Sequence, residues 1–179
     1  MGSDQRRRLE EQIARELALA VLLMLLAAVQ ITMLPRIFGA QPNLILVISV
    51  IHALLNGVGS ASRWAFYAGI GLDLCSGTFV GTHTLALLTA LLVGTLPLRR
   101  VHRGNWLVPL ASLPLGAAAY YIVLGGLTYL MVAPLPLREY AEVVMLPGLI
   151  VALVPALPLY IALRWIHIRR RGEVKIDVY

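Results

Sequence analysis

The stretch "GIGLDLCSGTFVG" (Gly69–Gly81) places one carboxylate, Asp73, in an otherwise uncharged run. The nearest charged residues are Arg63 before it and Arg99 after it. Small residues precede Asp73 at intervals of four, at Ala61, Ala65 and Gly69, and the next apolar run repeats the interval at Ala86, Ala90 and Gly94. In lipid, small residues spaced this way let helix backbones approach closely. Asp73 shares the face of the first stripe, so the spacing predicts that it points into a helix bundle. A carboxylate at such a position is a functional candidate by default and requires a partner.

Composition agrees with a bundle in lipid. The 179 residues are 59% hydrophobic and 13% charged, with a mean hydropathy of +0.81, whereas soluble domains average about 25% charged. The formal charge of +6 does not indicate nucleic acid, because the arginines sit beside the ends of apolar runs and form no basic face interleaved with aromatics. The single cysteine, Cys75, allows no internal disulfide and has no metal-ligand companion at zinc-site spacing.

Six apolar segments are predicted: Leu17–Leu34, Asn43–Leu55, Trp64–Cys75, Phe79–Leu98, Trp106–Val132 and Val143–Ile166. The first follows a charged leader and lacks a small-x-small cleavage site at its end, so it reads as a retained first transmembrane helix. The leader (residues 1–16) is expected to be a short solvated helix, with Glu11 four residues before Arg15. A six-span membrane domain (residues 17–166) and a basic tail (residues 167–179) complete the organisation. With the N-terminus inside, thirteen of the 15 Lys and Arg residues fall on the cytoplasmic side, leaving Arg36 and Arg138 outside. That bias sets both termini in the cytoplasm. Trp64, beside Arg63, marks the inner end of the third span, as Trp106 and Trp165 do for the last two. Pro109, Pro114, Pro147, Pro155 and Pro158 predict kinks in those two helices.

This topology sets Asp73 in the outer half, where Arg36, Asn43 and His83 are the candidate partners. A proton relay or a ligand-binding acid is one reading. The favoured one is a structural polar clamp tying helix ends together, since nothing else resembles a relay. His52 reads as a hydrogen-bonded interior residue. Paired carboxylates, metal-ligand motifs, phosphate loops and nucleophile elbows are missing from the sequence. No enzymatic activity, cofactor or metal is therefore expected.

The runs "QITMLPRIFGAQPNLILVISVIHALLNG" and "GIGLDLCSGTFVGTHTLALLTALLVG" resemble the MreD family of bacterial rod shape-determining membrane proteins. The features are the "LP" closing the first helix, the "PNL" opening the second, and the LDL-x-SG pattern with its following glycine, all within residues 17–98. Cys75 and the turn "HALLNGVGSASRW", which lacks extra basic residues, depart from the family pattern. The resemblance implies a non-enzymatic scaffold in the cytoplasmic (inner) membrane, supporting lateral peptidoglycan synthesis and rod shape. The implied partners are MreC and, through it, RodA, a class B penicillin-binding protein and the MreB filament, along with membrane lipids. The implied fold is an all-α six-helix bundle similar to the substrate-binding subunits of energy-coupling-factor vitamin transporters, and such a subunit is the alternative function. A vitamin site needs polar groups at the outer mouth, and the outer loops carry few. The loops around Phe38–Asn43 and Ala133–Tyr140 are the expected partner contacts, with Phe38, Pro42, Pro134, Pro136 and Tyr140 as candidates.

Overall fold

The computed structural model of the chain describes residues 2–35, 37, 41–96, 107–131 and 136–171. Arg36, Phe38, Pro134 and the tail beyond Arg171 lie outside those residues. The described chain is almost entirely helical, without a strand element: α1 Gly2–Met33, α2 Leu44–Asn56, α3 Val58–Ser76, α4 Thr82–Thr95, α5 Leu107–Met131, α6 Leu137–Tyr140, a π-helical turn Ala141–Met145, α7 Leu146–Leu153 and α8 Ala156–Arg171. Two helical stretches, Leu9–Met33 and Ala111–Met131, are long and apolar enough to cross a membrane, and the bent pair Arg138–Leu153 and Pro158–Ile166 makes a third if it acts as one span. This is the pattern of a membrane protein.

The boundaries follow local chemistry. The leader is not a separate helix; it runs without a break into the first apolar run as α1. The α2 start is capped by Asn43, whose side chain accepts the Leu46 N–H at 3.0 Å. Gly57, at φ 92°, is the only residue between α2 and α3, a conformation that a side chain disfavours. In the last helical stretch, Pro147 has no N–H to offer the carbonyl four residues back. The turn before it widens, with the Leu146 N–H reaching the Ala141 carbonyl in π geometry. Pro155 then marks the break between α7 and α8, and the two arms of the stretch meet at 48°. Pro114, by contrast, sits inside α5 without ending it.

Packing gives each helix a direction. Glu16 meets Arg63, and further along Met24 and Ala27 crowd Gly71, so α1 and α3 run parallel. Two partners of α4, α3 and α5, run opposite to it: Gly69 of α3 meets Thr84, while on α5 Tyr120 meets His83 and Ser112 lies against Gly94. Tyr140 packs on Gly125 and Tyr121 on Gly148, turning the last stretch antiparallel to α5. The core centres on α2, which touches α1, α3, α4, α5, α7 and α8. Ile45, Leu46, Val50 and Ile51 of α2 are buried with Leu87 and Leu91 of α4. In contrast, α1 lies at the edge, with Leu22, Leu25, Val29 and Met33 exposed.

The small-residue stripes pack as the spacing predicts. Ala65, Ala86 and Ala90 are fully buried. A Cβ on Gly69 would lie 2.5 Å from the Thr84 Cα, and one on Gly94 would lie 2.8 Å from the Ser112 carbonyl oxygen. These glycines set the α3–α4 and α4–α5 distances.

Candidate functional site

Asp73 lies one turn before the end of α3 and is 1% exposed. Its carboxylate faces the start of α4, where Gly81 occupies the cap position without a side chain to offer. Asp73 supplies that cap from the neighbouring helix. One oxygen, Oδ2, accepts the Gly81 N–H at 2.8 Å and the Thr84 hydroxyl at 2.9 Å, and Oδ1 accepts the His83 N–H at 2.6 Å. The free amides and dipole of a helix start favour an anion, and among the described residues amides and a hydroxyl hold the carboxylate. Among the described residues these donors differ from the expected side chains of His83 and Asn43, and Arg36 lies outside those residues. His83 contributes its main-chain N–H and not its ring, and Asn43 bonds to other groups.

Those groups form a second polar chain at the same end of the bundle. Asn43 Oδ1 accepts Gln30 Nε2 at 3.4 Å as well as the Leu46 N–H. The Tyr120 hydroxyl and His83 Nδ1 share a hydrogen bond at 2.7 Å, whose donor depends on the imidazole tautomer. Gln30 Oε1 accepts the Ile45 N–H at 3.0 Å. Gln41 Nε2 donates to the carbonyls of Gln30, Ile31 and Leu34, serving acceptors that the end of α1 would otherwise leave open.

The two polar groups border a cavity of about 470 Å³ lined by Gln30, Gln41, Asn43, His83, Tyr120 and, from the π turn, Val143 and Val144, with further residues of α3 and α5. Among the described residues its lining contains no Lys, Arg, Asp or Glu. The wall carrying Val143 and Val144 is pinned to α5 by Tyr140, whose hydroxyl donates to the Tyr121 carbonyl at 2.8 Å. Tyr140 is thus turned inward and Pro42 is buried, so neither offers the free contact surface expected of it; Pro136 is exposed.

At the opposite end, His52 stacks on Trp64 with ring centroids 4.3 Å apart and bonds to Ser60 and Asn56. It is hydrogen-bonded as expected, but half-buried at the bundle's edge and not interior. Glu11 and Arg15 do not pair; Glu16 instead binds Arg63 across α1 and α3. Among the described residues no group of His, Cys, Asp and Glu is placed to hold a metal ion.

Gln30, Gln41, Thr84 and Tyr120 are site residues that sequence reasoning passed over. A signal existed for Gln30, a polar residue within the apolar "LLAAVQITM", where burial requires hydrogen bonding. Tyr120 gave none, because its partner His83 is 37 positions away. Comparison with protein-family models, curated proteins and solved structures finds no match to this chain.

Proposed function

We propose that the chain is a non-enzymatic inner-membrane scaffold of the MreD type, crossing six times with both termini in the cytoplasm. The proposed role is to hold MreC for lateral wall synthesis. The alternation of helix directions supports the six crossings: α1, α3 and α5 run one way, and α2, α4 and the stretch from α6 to α8 run the other. At 13 and 14 residues, α2 and α4 fall short of the about 20 that a lipid-facing span requires. α2 is largely enclosed by other helices, which relaxes that requirement. The arginine bias then puts the Asp73 end outside.

The observation that carries the reading is the uncharged cavity at that end. Its hydrogen-bonding groups are amides, a phenol and an imidazole, which suit the backbone and apolar side chains of an uncharged polypeptide segment from a partner's stalk. Among the described residues an ionic ligand would meet no countercharge in the lining, and an unpaired buried charge is costly. Substituting Val144→Trp, which narrows the cavity, tests this. MreC from the same bacterium should co-purify with the parent chain and be lost by tenfold or more with the variant, at unchanged thermal stability. Full recovery of MreC with the folded variant would remove the cavity from the interface.

One observation favours the alternative, a substrate-binding subunit of a vitamin transporter. The outer mouth is more polar than its loops suggest, because Gln30, Asn43, His83 and Tyr120 line it. A vitamin carried through purification, or recovery of an ATPase pair in place of MreC, would establish that reading.

A further inference from the structure

The other large concavity lies at the Trp64 end, outside the core. It is a groove of about 810 Å³ between α1 and α3, lined by Gln12, Ile13, Arg15, Glu16, Leu17, Ala20, Arg63 and Tyr67. Because the two helices run parallel, its chemistry changes steadily along one direction. Gln12, Arg15, Glu16 and Arg63 hold the end nearer the leader. Leu17 follows Glu16 directly, and Ala20 and Tyr67 lie about one turn beyond Glu16 and Arg63 toward the apolar run, at roughly 1.5 Å of rise per residue. Ile13 and Leu17 are exposed beside the groove.

The charges in this groove do not cancel. Glu16 is taken on both oxygens, by the Arg63 guanidinium and by the Tyr67 hydroxyl at 3.4 Å. Arg15 has no ion-pair or hydrogen-bond partner among the described residues. The groove therefore presents one cation in excess at the level where α1 enters its apolar run, continuous with apolar wall running inward.

We propose that this groove is a binding site for an anionic phospholipid of the leaflet on that side. Arg15, backed by Arg63, faces the phosphate, Gln12 donates to the headgroup, and an acyl chain lies along Leu17 and Ala20. Zwitterionic lipid fills the same apolar wall but gains nothing from the excess cation. The site requires only that α1 crosses the membrane, and it stands apart from any partner at the Asp73 end.

The test is native mass spectrometry of the full-length chain released from micelles containing equal amounts of phosphatidylglycerol and phosphatidylcholine. The parent should retain phosphatidylglycerol preferentially. Arg15→Gln should lower that preference by about fivefold, the share of one basic residue near an anionic surface. Neutralising Arg169, Arg170 and Arg171 to Gln should leave the preference in place. Arg15 is exposed, so its loss leaves the fold intact, and a thermal melt in phosphatidylcholine should match the parent. If the preference survives Arg15→Gln but disappears with the three tail substitutions, the retained lipid belongs to the tail and the groove site is refuted, whatever MreC does.

Discussion

The carboxylate of Asp73 accepts the hydroxyl of Thr84 at 2.9 Å across the α3–α4 interface. One turn earlier on α3, Gly69 leaves room for the backbone of that same Thr84. Close approach and capping therefore depend on each other: the missing Cβ lets α4 come near enough for a side chain of α3 to serve its first amides. Gly77 and Gly81, at φ 67° and 102°, shape the turn that returns the chain into this grip. The arrangement describes an anchor better than a relay, since the acceptors of Asp73 are occupied by groups that do not exchange protons in function.

Asp73→Asn should lower stability by about 2 kcal/mol, the range for hydrogen bonds to a charged group. The amide keeps one acceptor and turns an NH₂ toward donors of α4. Thr84→Val, which removes one donor and keeps the shape, should cost about 1 kcal/mol. Thermal unfolding in detergent measures both. A fully stable Asp73→Asn protein that had lost its cellular activity would instead assign Asp73 a chemical role.

The glycines give a graded series. Gly69→Ala places a methyl against the Thr84 backbone, which has no rotamer by which to yield, and should destabilise by about 1–3 kcal/mol, as overpacking does. Gly126→Ala meets nothing within 4 Å and should be neutral or slightly stabilising through helix propensity. Unfolding midpoints that fail to separate the two would contradict the packing described for α3 and α4.

Tyr140 and Tyr121 form the other lock. Tyr140 lies in the space left by Gly125, Tyr121 in that left by Gly148, and the Tyr140 hydroxyl closes onto the Tyr121 carbonyl. Tyr140→Phe should cost about 1 kcal/mol and loosen the π-turn wall of the cavity. Hydrogen exchange at Ala141–Met145 should rise, while exchange across α3 and α4 should not change.

Much of this was legible from residue types. The interval of four through Ala65 and Gly69 turned Asp73 inward before any contact was known, because helix period alone fixes which residues share a face. Two donors to Asp73 were hidden for a physical reason: they are main-chain amides, which every residue carries, whereas the His83 ring was the visible candidate. The cavity escaped for a related reason. Its polarity was sought in loops, yet part of it comes from single polar residues inside apolar helices, Gln30 and Tyr120, which long-range packing brings to Gln41 and Asn43 of the α1–α2 connection. The length of α3 was partly concealed by Arg63, a charge that ended the apolar run on paper but pairs with Glu16 beside α1.

Topology is the prediction on which the proposed function turns. In a Cys75→Ala background, cysteines introduced at Thr78 and Pro136 should react with a membrane-impermeant maleimide added outside intact cells. Both positions lie at the Asp73 end, one in the turn before α4 and one just before α6. A cysteine at Ser60, beside His52 and Trp64 at the opposite end, should label only after the membrane is opened. The contrast depends on α2, which at 13 residues carries the chain from one end of the bundle to the other. If neither α2 nor α3 crosses, Thr78 and Ser60 fall on the same side while the ends of α5 keep theirs. External labelling at Ser60 would therefore overturn the six crossings and move the cavity, together with its proposed stalk contact, to the wrong side for MreC.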